Sequence, residues 1–180
     1  MSEDAASSST STIPVDSYRS HSTAERAIHA VAFSMVGLVV ILGLVGLLGV
    51  RTGLVTVSGS GYTMEVTRAI VSRPGLATPF RVDVMAEEGD SLPETVTLQV
   101  DADYLAIFDF NGLQPTPTSS FSRGNSTWWE FDVPPGESSL RVEMDARLEP
   151  AVQWARSGSV TLVVDGEGVA TAEFMTWVMP

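Results

Sequence analysis

The run from Ala30 to Val50 holds 21 residues without a charge, and Ser34 is its only polar side chain. Wound as a helix it reaches about 31 Å at 1.5 Å per residue, the hydrocarbon thickness of a bilayer. Its five Leu and six Val, with Ile41 and Phe33, favour transfer into lipid, offset in part by Gly37, Gly43, Gly46 and Gly49. A buried helix of a soluble protein carries a polar stripe, and this run has none. It predicts a transmembrane helix over 27–51 that contacts the lipid bilayer through Ala30 to Val50.

A cleaved signal needs a short leader and a small-residue cleavage site. Here 29 residues precede the run, and Val55-Thr-Val-Ser-Gly59 makes a poor site, so a retained single-pass signal-anchor is expected. A prepilin-type leader carries a Glu just inside the apolar stretch, and none lies between Ala27 and Val50. Eleven of the first 23 residues are Ser or Thr, which predicts a disordered tail over 1–26. Arg19 and Arg26 before the run, against Arg51 after it, give a slight positive-inside bias. Residues 52–180 carry 18 acidic side chains against seven Arg, a net charge of −11. The expected arrangement is a cell-membrane protein with a cytoplasmic N-terminus and an extracytoplasmic C-terminal domain.

Past Tyr62 the apolar residues alternate. Leu140, Val142, Met144, Ala146 and Leu148 fall on one side of an extended chain, and Arg141, Glu143, Asp145, Arg147 and Glu149 on the other. Phe80, Val82 and Val84, then Val96, Leu98 and Val100, then Trp129, Phe131 and Val133 repeat the pattern. Turn formers punctuate these runs at Arg73-Pro-Gly75, Asn111-Gly112, Pro134-Pro-Gly136 and Asp165-Gly166. About eight strands are predicted: 62–71, 79–86, 94–101, 104–109, 126–133, 139–148, 158–165 and 168–178. An all-β domain over 62–180 follows, expected as an immunoglobulin-like antiparallel β-sandwich, with a jelly roll or small barrel as the alternative. A Gly-containing linker over 52–61 joins it to the membrane helix.

The chemistry on offer is narrow. The chain has no Cys and no Lys, and its only histidines, His21 and His29, precede the apolar run. A Ser-His-Asp or Cys-His machine, a Schiff-base lysine and a cysteine-zinc cluster are all excluded from the domain. No pattern singles out a catalytic carboxylate pair. The reading is therefore a non-enzyme with no catalytic residue, no cofactor and no metal site. An acidic turn at Asp101, Asp103 and Asp109-Phe-Asn111 leaves calcium open as an alternative, although its spacing is not that of an EF-hand loop. A net charge of −11 repels nucleic acid and anionic headgroups alike, so no nucleic-acid partner is expected.

Possible interaction residues are Trp128, Arg141 and Arg147, which alternation turns toward solvent. Trp128, Trp154 and Trp177 together could form an exposed aromatic patch. Gly43, Gly46 and Gly49 recur every three residues and suggest packing on another membrane helix. Asn125-Ser-Thr127 is a glycosylation sequon in an expected loop.

The stretches Arg73-Pro-Gly-Leu-Ala-Thr-Pro-Phe-Arg-Val82, Asp101-Ala-Asp-Tyr-Leu-Ala-Ile-Phe-Asp-Phe-Asn-Gly-Leu-Gln-Pro115, Asp132-Val-Pro-Pro-Gly136 and Asp145-Ala-Arg-Leu-Glu-Pro150 carry a resemblance. The chain resembles uncharacterised actinobacterial single-pass membrane proteins with an Ig-like extracytoplasmic domain. The resemblance implies a cell-envelope location and transfers no site residues. The expected function is a membrane-anchored envelope protein whose domain mediates protein–protein contacts, as an accessory subunit of a membrane complex. The expected partner is another membrane or envelope protein. The alternative is a binding module for a small ligand or a cell-wall glycan.

Overall fold

The computed structural model describes residues 23–44, 49–150 and 154–179. Most of the expected tail lies outside them. The chain divides into an N-terminal unit ending at Leu47 and a second unit beginning at Leu48.

The first unit is helix α1, Thr23–Leu44, with Glu25 in its first turn, where a carboxylate complements the helix dipole. Its 22 residues reach about 33 Å at 1.5 Å per residue. None of them is buried within the unit. The helix starts four residues ahead of the expected 27 and is described as far as Leu44, while Gly49 and Val50 lie in a bend and a coil. The expected end at 51 is thereby corrected: Arg51 already belongs to a strand.

The second unit holds ten strands among the described residues: β1 Arg51–Gly59, β2 Tyr62–Ser72, β3 Phe80–Ala86, β4 Thr95–Asp101, β5 Phe108–Gln114, β6 Ser119–Arg123, β7 Ser126–Asp132, β8 Ser139–Leu148, β9 Ala155–Val164 and β10 Glu167–Val178. A one-turn helix, α2, Ala102–Leu105, follows β4. The strand order is β5-β8-β3-β2-β10-β9-β4-β7-β6, with β1 paired to β2. Neighbours are antiparallel except β2 and β10, which meet in parallel over two pairs, Val71 with Trp177 and Ser72 with Val178. The result is a single curled, mixed sheet that closes halfway to a barrel.

The two separate sheets expected of a sandwich are not what the ladders show. The register of β2 with β3 ends at Thr67 and Arg81, so the last residues of β2 run on to meet β10. Two other expectations are corrected. The supposed linker over 52–61 is β1 and its hairpin turn at Ser60 and Gly61, so the domain begins ten residues or so earlier. The strand expected at 104–109 is split: Tyr104 lies on α2 and Phe108 opens β5.

Alternation explains the core. β8 buries Val142, Met144, Ala146 and Leu148 and exposes the residues between them, as expected. Val82 and Val84 of β3, Val96, Leu98 and Val100 of β4, and Trp129 and Phe131 of β7 join them in one cluster. Aromatic rings tie the two arms of the curled sheet. Tyr104 sits 5.8 Å from Phe80, 5.3 Å from Phe108 and 5.0 Å from Phe174, centroid to centroid. Gly158 makes room for it: a Cβ there would fall 2.5 Å from Tyr104 Cγ. At the other edge Phe110 of β5 stacks on Trp129 of β7 at 6.3 Å.

Candidate functional site

The outer side of β3 and β8 carries two Arg–carboxylate pairs. Register places Asp83 opposite Arg141 and Arg81 opposite Glu143. Arg141 Nε donates to Asp83 Oδ1 at 2.5 Å. Arg81 Nε stands 2.7 Å from Glu143 Oε1, close enough for an ion pair but without the angle of a hydrogen bond. The hydrogen bond to Asp83, and then the charge of Asp83, raise the pKa of Arg141 above its ordinary value. Arg147 lies further along β8, opposite Asp109 of β5, and is exposed. Arg141 and Arg147 thus share a solvent-facing row, as the alternation required.

Trp128 stands elsewhere. It lies on the outer side of β7, half-buried and stacked on Phe121 of β6 at 6.0 Å and 8°. Three strand steps separate β7 from β10, which bears Trp177. The three tryptophans grouped from the sequence therefore do not form one patch. Trp154 and Trp177 do come together: the Val178 N–H donates to the Trp154 carbonyl. They are 70% and 50% exposed. Of the glycine series, Gly43 lies on α1, Gly49 lies in a bend, and Gly46 falls outside the described residues.

The acidic turn has a structural role. Asp101 is the N-cap of α2, and its Oδ1 accepts from the Asp103 N–H at 2.9 Å and the Tyr104 N–H at 3.4 Å. Asn125 Nδ2 donates to Asp101 and Asp103, which leaves the sequon asparagine tied into this cap. No group of three or more His, Cys, Asp or Glu among the described residues is placed to hold a metal. A shallow depression of about 560 Å³ lies beside the cap, lined by Asp101, Ser157, Ser159, Glu173 and Met175.

Three residues to which sequence reasoning assigns no site role, Tyr104, Thr176 and Arg68, hold the arms together. Tyr104 Oη and Thr176 Oγ1 are 3.0 Å apart, and Thr176 donates its only proton to the Ala69 carbonyl at 2.7 Å. Tyr104 must then be the donor to Thr176. Burial pushes the Tyr104 hydroxyl up to about 12. Arg68 Nη1 donates to the Met175 carbonyl at 2.8 Å, with its guanidinium 5.8 Å from the Phe174 ring. A buried threonine on an otherwise apolar inward row was the one signal available for this joint.

Among the described residues the chain is thus a β-rich domain preceded by one helix that is long and apolar enough to cross a membrane. No protein-family model matches the chain, and comparison with curated proteins finds no match.

Proposed function

We propose that this chain is a membrane-anchored cell-envelope protein, akin to the actinobacterial single-pass proteins it resembles, whose domain makes protein–protein contacts and serves as an accessory subunit of a membrane complex. In this reading α1 is a retained anchor with its N-terminus cytoplasmic and the domain is extracytoplasmic. One observation carries it: an apolar helix with no buried residue precedes a domain whose ordered polar surface is paired Arg and carboxylate rather than a reactive group. The domain is not an enzyme in this reading, because it has no His, Cys or Lys to act as base or nucleophile.

The same reading takes the two arms as the faces of an immunoglobulin-like sandwich. Its support is topological. β2-β3-β8-β5 and β10-β9-β4 follow the strand orders of the two immunoglobulin sheets, with the β6–β7 hairpin added beside β4, and the first and last strands of that set meet in parallel at the joint. The Phe110–Trp129 stack lays the free edge of one arm on the other.

The test is purification in mild detergent of the wild type and of Arg141→Ala/Arg147→Ala, with mass spectrometry of what accompanies each. A partner held by the wild type and lost by the variant supports the contact role. Protease treatment of intact cells carrying terminal tags reads the orientation: protection of the C-terminal tag with loss of the N-terminal tag reverses it. The Phe121–Trp128 stack favours the second reading, a glycan-binding module. Saturable binding of a cell-wall oligosaccharide that Trp128→Ala abolishes would replace the first reading.

A further inference from the structure

The net charge of the domain hides a separation. Every strand runs between two ends, and the chain enters at one of them through Arg51. At the far end the connections 87–94, 133–138 and 165–166 carry Glu87, Glu88, Asp90, Glu94, Glu137 and Asp165, and no Arg. The near end has a corner of opposite character, formed where β1, β2, β9 and β10 terminate. Residues 49–54, 68–79, 154–158 and 174–179 contain Arg51, Arg68, Arg73 and Arg156, while the acids of this end, Asp101, Asp103, Glu149 and Glu173, lie at its margin. Register fixes their neighbourhood: Arg51 and Trp177 both face Val71, and Arg156 faces Thr176.

This corner is also where the domain leaves apolar side chains in solvent. Trp154 is 70% exposed, Trp177 50%, Met179 47% and Leu76 42%. The Met179 N–H donates to the Ser72 carbonyl, which holds that residue beside the end of β2. Tryptophan with an apolar body and a polar N–H suits the boundary between headgroups and acyl chains, and arginine suits the phosphates above it. Counted from Arg51, the domain has a net charge of −10 and is repelled by an anionic surface on its average, but at Debye lengths near 10 Å it is the local charge that meets the headgroups.

We propose that this corner docks on an anionic bilayer surface, with Trp154 and Trp177 at the headgroup boundary and Arg51 and Arg73 toward the lipid phosphates. The chain itself selects that occupant. Leu44 and Arg51 are seven residues apart, so the corner is tethered within about 25 Å of an apolar helix end at 3.6 Å per residue. The proposal rests on the reading of α1 as a membrane anchor. It accounts for the acidic end as well, which is kept off the surface and presented outward.

The experiment uses the full chain in nanodiscs of phosphatidylcholine with phosphatidylglycerol, with and without lipid brominated near the headgroup. The chain has four tryptophans, so loss of about half of the emission is expected in the brominated discs. Trp154→Phe with Trp177→Phe removes that loss, and Arg51→Glu with Arg73→Glu reduces it at least twofold. A chain that resists carbonate extraction yet stays equally bright in both discs overturns the docking and leaves the anchor standing. A chain that carbonate extracts overturns the anchor, and the docking with it. Emission insensitive to bromine, together with a copurifying protein lost in the double tryptophan variant, assigns the corner to that protein and overturns the lipid.

Discussion

Helix α1 and strand β8 are both rich in apolar side chains, and they dispose of them in opposite ways. β8 places one in every two inside, with Val142, Met144, Ala146 and Leu148 buried and the residues between them exposed. α1 buries none, and Val31, Phe33, Met35 and Leu38 are all more than half exposed. The difference is period. A two-residue repeat supplies one wet face and one dry face, so the strand completes its own segregation by joining a sheet. An all-round apolar helix has no wet face and needs an apolar surrounding instead. The same residue types are thus segregated in the strand and left outward on all sides of the helix.

Each side of that comparison can be broken by substitution. The largest effect is expected from Met144→Asp, which places an unpaired charge at a position only 5% exposed. Its cost is of order 4 kcal/mol or more, read as loss of the cooperative melting transition of the full chain in detergent. Leu38→Arg acts on the other side. It makes insertion less favourable by about 3 kcal/mol and is read as carbonate extractability, while the melting temperature of the domain stays put. An unchanged membrane fraction would show that α1 does not need lipid.

A third expectation sharpens what the core contributes. The Tyr104 hydroxyl has an ordinary value of 10.0, raised to about 12 by burial. The folded state then holds this proton more tightly than the unfolded state. Its contribution is complete below pH 10 and is lost as the pH rises toward 12. Over that window the domain loses roughly 3 kcal/mol at about 1.4 kcal/mol per pH unit. Tyr104→Phe flattens that stretch of a stability-versus-pH curve, at the cost of the hydrogen bond to Thr176 at neutral pH. The smallest effect belongs to Arg141→Ala and Arg147→Ala. Both residues are on the exposed row of β8, and their melting temperatures should be inseparable from the wild type. A shift as large as that of Met144→Asp would reverse the two faces of the strand.

Alternation makes most of the domain legible in its sequence. β3, β4, β7, β8 and β10 fall within a residue or so of their expected bounds, and the first four turn the expected faces inward. The failures have separate causes. β1 is hidden by Gly53 and Gly59, which read as linker but serve close approach: a Cβ on Gly59 would stand 2.1 Å from the Val169 carbonyl oxygen. β6 is hidden by its serines, because Ser119–Arg123 is an edge strand with nothing buried. α2 is hidden by its length. Tyr104 and Leu105 look like strand residues until Asp101 is recognised as a cap that accepts from the two N–H groups after Ala102. The outward positions of Arg141, Arg147 and Trp128 are legible because they need only the period of one strand. That Trp177 lies beside Trp154 and three strand steps from Trp128 is not, because lateral order in a sheet is set by pairing between segments far apart in the chain.

The replacement of a slack connection by β1 has a mechanical consequence. A tension applied to the chain ahead of Arg51, directed along β1, meets a ladder of nine register pairs with β2, from Arg51 with Val71 to Gly59 with Tyr62. Hydrogen bonds in an antiparallel ladder lie across the strands, so such a tension loads them together in shear rather than one after another. Gly59 sits against Val169 of β10 at the far end of that ladder, so the load is delivered deep into the sheet and not to its rim. A strand held in this way yields only when its whole ladder gives, so tension on Arg51 opens the domain in one step and not by peeling.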